Sequence, residues 1–216
     1  MENKNNEKEP MGIAGVEATQ DAGIAAVSKK IMIWTLVAVA VVLLIGGGMY
    51  WYHSAGEKKA TEAIAAADLE TNDSLRFVMY KKLADDGSFK ANERAKLMTA
   101  IKYYQDGKYK EAIPYLEDAS TSSSIVNAGT YALLGDCYVN LKDYDKALKS
   151  FNKGLDAADD NPQLVPFLLV KIANVYREQK EYDQEYDIYL SIQKDYPQYL
   201  YDIDKYVERA RVAAGK

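Results

Sequence analysis

The chain of 216 residues has one histidine, one cysteine and no extended basic stripe, and each shortage removes a class of chemistry. His53 lies just past a long apolar run, so a Ser-His-Asp or Cys-His arrangement in the rest of the chain would have no base. Cys137 has no partner for an intrachain disulfide, and in its LLGDCY setting it reads as a small buried apolar residue. Without a Cys/His cluster around it, a metal site has no ligand set. A formal net charge of -5 with no clustered lysine and arginine argues against a phosphate backbone as partner. The densest glycine run, residues 46–48, falls inside the apolar stretch and cannot serve as a phosphate loop. The acid pairs Asp85-Asp86 and Asp159-Asp160 border loops and read as solvated turn residues. The expectation is a protein that is not an enzyme, needs no metal or cofactor and binds no nucleic acid.

What the chain does have is one long apolar run, many tyrosines and an internal repeat. Residues 31–52 carry no charge over 22 positions, a helix of roughly 33 Å that matches a bilayer core of about 30 Å. Trp34 near one end and Tyr50, Trp51 and Tyr52 at the other have the placement of interfacial anchors. A cleaved leader is the competing reading, but the polar lead of 30 residues is long and no good cleavage site follows. Lys29 and Lys30 abut the start of the run, whereas Lys58 and Lys59 lie several residues beyond its end. That places the N-terminus in the cytoplasm and the larger part outside, in a single-pass topology. Eighteen tyrosines against four phenylalanines suggest many half-buried rings whose hydroxyls reach water.

Tyr138, Tyr144 and Ala147 stand at spacings of six and three, and the pattern recurs at Tyr103, Tyr109 and Ala112 and at Tyr176, Tyr182 and Glu185. A repeat of this kind predicts a stacked array of helix pairs. Residues 1–30 read as a disordered tail, with a short helix leading out of it over 12–28, and residues 53–90 as a helical stalk and a degenerate helix pair. Residues 91–216 form the array, in units of about 92–126, 127–161 and 166–197. A closing helix at 199–214 has Tyr206 and Ala210 on one side and charges on the other. The second interval between repeats is longer than the first, which puts an insertion in residues 159–166. Small residues at Ala100, Gly135, Ala173, Ala112 and Ala147 let paired helices cross closely, and Glu185 in place of alanine should loosen the third pair.

This pattern resembles the tetratricopeptide repeat, a helix-turn-helix unit of 34 residues. Tyr131, Leu134, Gly135, Tyr138, Ala147 and Phe151 fill the repeat's positions in the second unit, while Lys96 and Thr99 depart from it in the first. The resemblance implies an all-α fold, in which the single N-terminal transmembrane helix read from the apolar run is followed by a solenoid of about three helix pairs and a closing helix. It also implies a groove lined by the first helix of each pair, presenting Arg94, Tyr104, Gln105, Asp136, Asn140, Asn174 and Arg177 to proteins or peptides. Leu97 and Ile101 stand where related domains carry a Lys/Asn clamp for a terminal carboxylate, which disfavours chaperone-tail binding of that type. As a whole the chain is similar to membrane-anchored repeat proteins of Bacteroidetes and to the ancillary SecYEG translocon subunit family. That likeness implies a protein of the bacterial inner membrane with a periplasmic repeat domain. On that expectation it would dock translocon subunits, periplasmic chaperones or secreted chains, or, as the alternative, build another envelope assembly with no client in its groove.

Overall fold

The computed structural model describes residues 14–216 apart from 88, 120 and 200, with side chains from residue 29 onward. Contacts divide the chain into Met1–Ala55 and Gly56–Lys216. The described part of the first unit belongs to α1 (Ala14–Leu69), a helix of 56 residues. Its apolar part is long and apolar enough to cross a membrane, with a mean hydropathy of 2.5 and none of that stretch buried. No strand occurs among the described residues. Helix runs without a break from Ala14, so the short helix expected over 12–28 is continuous with the apolar run; the part of the tail before residue 14 lies outside the described residues. Helix also continues forward to Leu69, because residues 57–69 are helix formers with no breaker among them.

The second unit is built from the end of α1 and from α2 (Asp73–Asp86), α3 (Asn92–Gln105), α4 (Tyr109–Asp118), α5 (Ser124–Asn140), α6 (Tyr144–Ala158), α7 (Leu164–Glu178), α8 (Tyr182–Asp195) and α9 (Ile203–Ala213). From α2 to α9 each helix packs on its neighbour in sequence, and α5 also touches α7. The helix ends follow local chemistry. Asn72 opens α2 by accepting the Leu75 N–H at 3.0 Å, and Gly87 ends it in the left-handed region at φ 57°.

The repeated tyrosines close one turn geometry three times. The N–H of Lys108, Asp143 and Glu181 donates to the carbonyl of Tyr103, Tyr138 and Tyr176 at 2.8, 2.9 and 2.9 Å. The residue before each donor is left-handed: Gly107 at φ 72°, Lys142 at 60° and Lys180 at 63°. This is a Schellman ending, which satisfies the last carbonyls of one helix and turns the chain into its partner. The longer second interval resolves into a loop between α6 and α7. Asp159 and Asp160 are both left-handed there, and Asn161 Oδ1 accepts the N–H of Gln163 and Leu164 at 3.0 and 3.1 Å.

Packing follows the small-residue pattern. Ala100, Ala112, Ala147 and Ala173 are fully buried. A Cβ on Gly135 would fall inside the ring of Phe151, so only glycine lets α5 approach α6 this closely. Tyr138 is buried and donates its hydroxyl to Glu117 at 2.8 Å, and Tyr103 meets Phe77 edge-on at 5.3 Å and Tyr115 at 5.8 Å. These rings are core, with their hydroxyls at its margin.

Two departures from the repeat pattern are settled by charge rather than by looseness. Lys96 is buried and its ammonium reaches Asp118 at 2.7 Å and Glu93 at 2.9 Å. Burial pulls its pKa down, but the two carboxylates outweigh that and leave it raised. Glu185, expected to loosen the third pair, is only 1% exposed and receives a 2.6 Å ion pair from Arg209 of α9. The guanidinium also lies over the rings of Tyr189 and Tyr206, at 5.6 and 5.3 Å. The acid therefore fastens the closing helix onto α8.

Candidate protein-binding cleft

The last turns of α5 and α7, the first helices of the second and third pairs, run side by side and leave a cleft of about 470 Å³. Asp136, Asn140, Lys171, Asn174, Arg177 and Tyr144 are among its lining residues. Helical spacing explains the set. Asp136 and Asn140 are four apart on α5, and Lys171, Asn174 and Arg177 are three apart in succession on α7, so each group lies on one face.

A charge pair crosses the floor. Lys171 Nζ donates to both Asp136 oxygens at 2.8 Å, with each side chain about a quarter exposed (24% for Asp136, 22% for Lys171). Loss of hydration raises the Asp136 pKa, and Lys171 opposes that shift without cancelling it. The same ammonium stands 4.9 Å from the centre of the Phe167 ring. Asn140 spends its Nδ2 on the Asp136 carbonyl at 2.8 Å, which leaves its Oδ1 to accept from a ligand. Arg177 and Asn174 have no side-chain hydrogen bond or ion pair among the described residues, and both are partly exposed. The cleft therefore offers donors and acceptors of both kinds around a pre-formed ion pair, a surface suited to a polypeptide backbone and its polar side chains.

Of the seven residues expected to line one groove, Asp136, Asn140, Asn174 and Arg177 meet here. Tyr104 lies close enough that, after burial, the Asp136 charge is the next cause raising its hydroxyl pKa; its ring packs edge-on to Tyr109 at 5.5 Å. Arg94 and Gln105 are elsewhere. Arg94 holds Asp68 at 3.0 Å on the rim of a separate bay of about 760 Å³, which Ile64, Leu97 and Val126 help to line. Gln105 borders a third hollow of about 200 Å³ between α2 and α3, with Phe77, Tyr80 and Ile101. Arg94 stands in the first turn of α3 and Gln105 in its last, roughly 16 Å apart along the axis, and each borders a hollow of its own. Lys171, Tyr144 and Glu178 also line the main cleft and are not among the residues expected from the sequence. Lys171 sits one turn before Asn174 on the same face, and stepping back along that face would have found it.

Cys137 lies beneath this region, fully buried and unpaired, its thiol pushed up to about 12 first by burial and then by the Asp136 charge. Among the described residues no group of three or more His, Cys, Asp or Glu could hold a metal ion.

Family models described as tetratricopeptide repeat match residues 103–165 and 168–199. A comparison with curated proteins finds no match. Among solved structures, a crystal structure of MamA protein aligns at a TM-score of 0.57 with 17% identity, covering 72% of this chain and 82% of that one. A second crystal structure of MamA aligns at 0.53, again with 17% identity, over 65% and 77%. At that identity the likeness is one of fold. Residues 103–165 and 168–199 therefore match tetratricopeptide repeats, in an all-α fold where a long apolar N-terminal helix precedes a solenoid of helix pairs with a closing helix.

Proposed function

We propose that this protein is an interaction scaffold of the bacterial inner membrane. Residues 31–52 anchor it with the N-terminus in the cytoplasm, and the repeats lie in the periplasm, docking partner proteins or emerging polypeptides near the Sec translocon. The observation that carries the binding part is the cleft between α5 and α7, where Asn140, Asn174 and Arg177 surround the Asp136–Lys171 pair and keep hydrogen-bonding capacity open. The anchoring part rests on the apolar run of α1 and the lysines before it. The translocon part rests on the resemblance in order of elements alone.

Two experiments test the reading. Protease added to spheroplasts should digest residues 57–216 while sparing the tail, and protection of the repeats would reverse the topology. Extraction in mild detergent should co-purify translocon subunits or periplasmic chaperones, and recovery of outer-envelope proteins alone would remove the translocon from the account. A second reading, a structural subunit of a secretion or cell-division assembly with no client in the cleft, draws on exposed Tyr201 and Val212, just before and within the closing helix. On that reading, alanine at Asn140, Asn174 and Arg177 leaves assembly intact, whereas polar residues at Tyr201 and Val212 disrupt it.

A further inference from the structure

Residues 56–69, the last four turns or so of α1, are fastened to the repeats by two polar contacts far apart on the helix and a thin apolar seam between them. At the upstream end the Glu57 carboxylate accepts the backbone N–H of Lys90 at 3.0 Å and of Ala91 at 2.9 Å, just before α3 begins. The residue ahead of it is Gly56, where a Cβ would collide with the ring of Phe89, so the helix and the loop at 89–91 touch at van der Waals distance. At the downstream end Asp68 accepts from the Tyr80 hydroxyl of α2 and from Arg94 of α3. The face between them buries Ala60, Ile64 and Ala67, spaced four and three apart, and Ile64 and Ala67 pack with Tyr80, Ala84 and Ala95.

The balance of these contacts is what distinguishes this segment from α2 to α9. Its seam has one large side chain and otherwise alanines, and apolar burial scales with the area removed from water, so the seam is weak. The carboxylate contacts are charge-assisted and individually stronger than neutral hydrogen bonds. The attachment is therefore decided by two separable polar fastenings. Directly beside it lies the bay of about 760 Å³, one wall of which is this same segment through Glu57, Thr61 and Ile64, the facing wall being Leu97 of α3 and Val126 of α5.

The geometry points to a releasable strap: residues 56–69 open and close this bay, and Glu57 is the fastening that sets how often they do. When Glu57 lets go of the Lys90 and Ala91 amides, the upstream half of the strap loses its polar fastening and keeps apolar contacts, Gly56 against the Phe89 ring and the buried Ala60 and Ile64, so the bay widens from that end. Gly56 is part of the device, because any side chain there displaces Phe89 and with it the two amides that Glu57 holds.

Amide hydrogen exchange on the full chain in detergent micelles tests this. Glu57→Ala should speed exchange in residues 56–64 and 89–97 by about tenfold, the factor expected for losing roughly one net hydrogen bond's worth of local protection. Exchange in α5 to α9 should stay within about twofold of the parent chain, since a strap opens without unfolding the array. Gly56→Ala, which leaves the carboxylate in place, should give the same regional pattern. Unchanged exchange at 89–97 in both variants, or a uniform rise reaching α9, would overturn the strap, the second because Glu57 would then only contribute to global stability.

Discussion

Gly135 and Phe151 are a single packing decision made with two residues. The ring lies where any Cβ on α5 would stand, so Gly135→Ala forces it out of place and should cost about 1–3 kcal/mol, the usual penalty for overfilling a close-packed core. Chemical denaturation of the variant checks the cost. Phe151→Leu in the same chain should return part of the loss, because it removes the atoms the new methyl meets. The neighbouring Cys137 gives a second readout. Buried, with its thiol pushed up to about 12, it should resist maleimide at pH 8 in the parent chain and react as the α5–α6 contact opens. Both residues were legible in the sequence from the repeat's small-residue position and the apolar setting of the cysteine. The left-handed Lys142 and Lys180 were not, because only the homologous Gly107 announces that conformation by its type.

At the scale of helices, charge does the fastening that the repeat pattern assigns to small apolar residues. Removing Arg209 would strand a carboxylate that is almost fully buried, so Arg209→Ala should cost about 3–5 kcal/mol and release α9. Adding Glu185→Ala to the same chain should recover most of that loss, since the pair is then gone from both sides and the repeat's usual residue is restored; thermal unfolding of the two variants separates the outcomes. The sequence pointed to Glu185 as an anomaly but not to its partner, which is 24 residues away on a helix that the repeat does not include. The strap shows the same principle in its pH response. The Tyr80 hydroxyl, and then Arg94, hold the Asp68 carboxyl below its ordinary value against the effect of burial. A depressed carboxylate contributes stability that is complete above the ordinary value of about 3.9 and is lost as pH falls through the lowered one. Protection of residues 56–69 should therefore persist at pH 5 and decline only below about pH 4. Asp68→Asn should reduce that pH dependence at the downstream end of the strap, residues 65–69, which exchange measured across the range would register.

For the whole molecule, the tyrosine repeat accounts for six helices, α3 to α8, because its turn chemistry recurs with each of its three copies. The cleft was only half readable. Asp136, Asn140, Asn174 and Arg177 follow from helical phase within one element, but which first helices approach each other near enough to share a pocket depends on stacking across pairs. Arg94 and Gln105 border hollows of their own at the two ends of α3, and Lys171 is recognised only with Asp136 of another repeat beside it. The central claim, that the face of α5 and α7 is where partners dock, is tested most directly by photocrosslinking in cells. A photoreactive residue at Asn140, Asn174 or Arg177 should yield a discrete adduct of defined mass, whereas the same residue at exposed Lys149 or Lys153 of α6 should not. Adducts from α6 alone, with none from the three cleft positions, would contradict it.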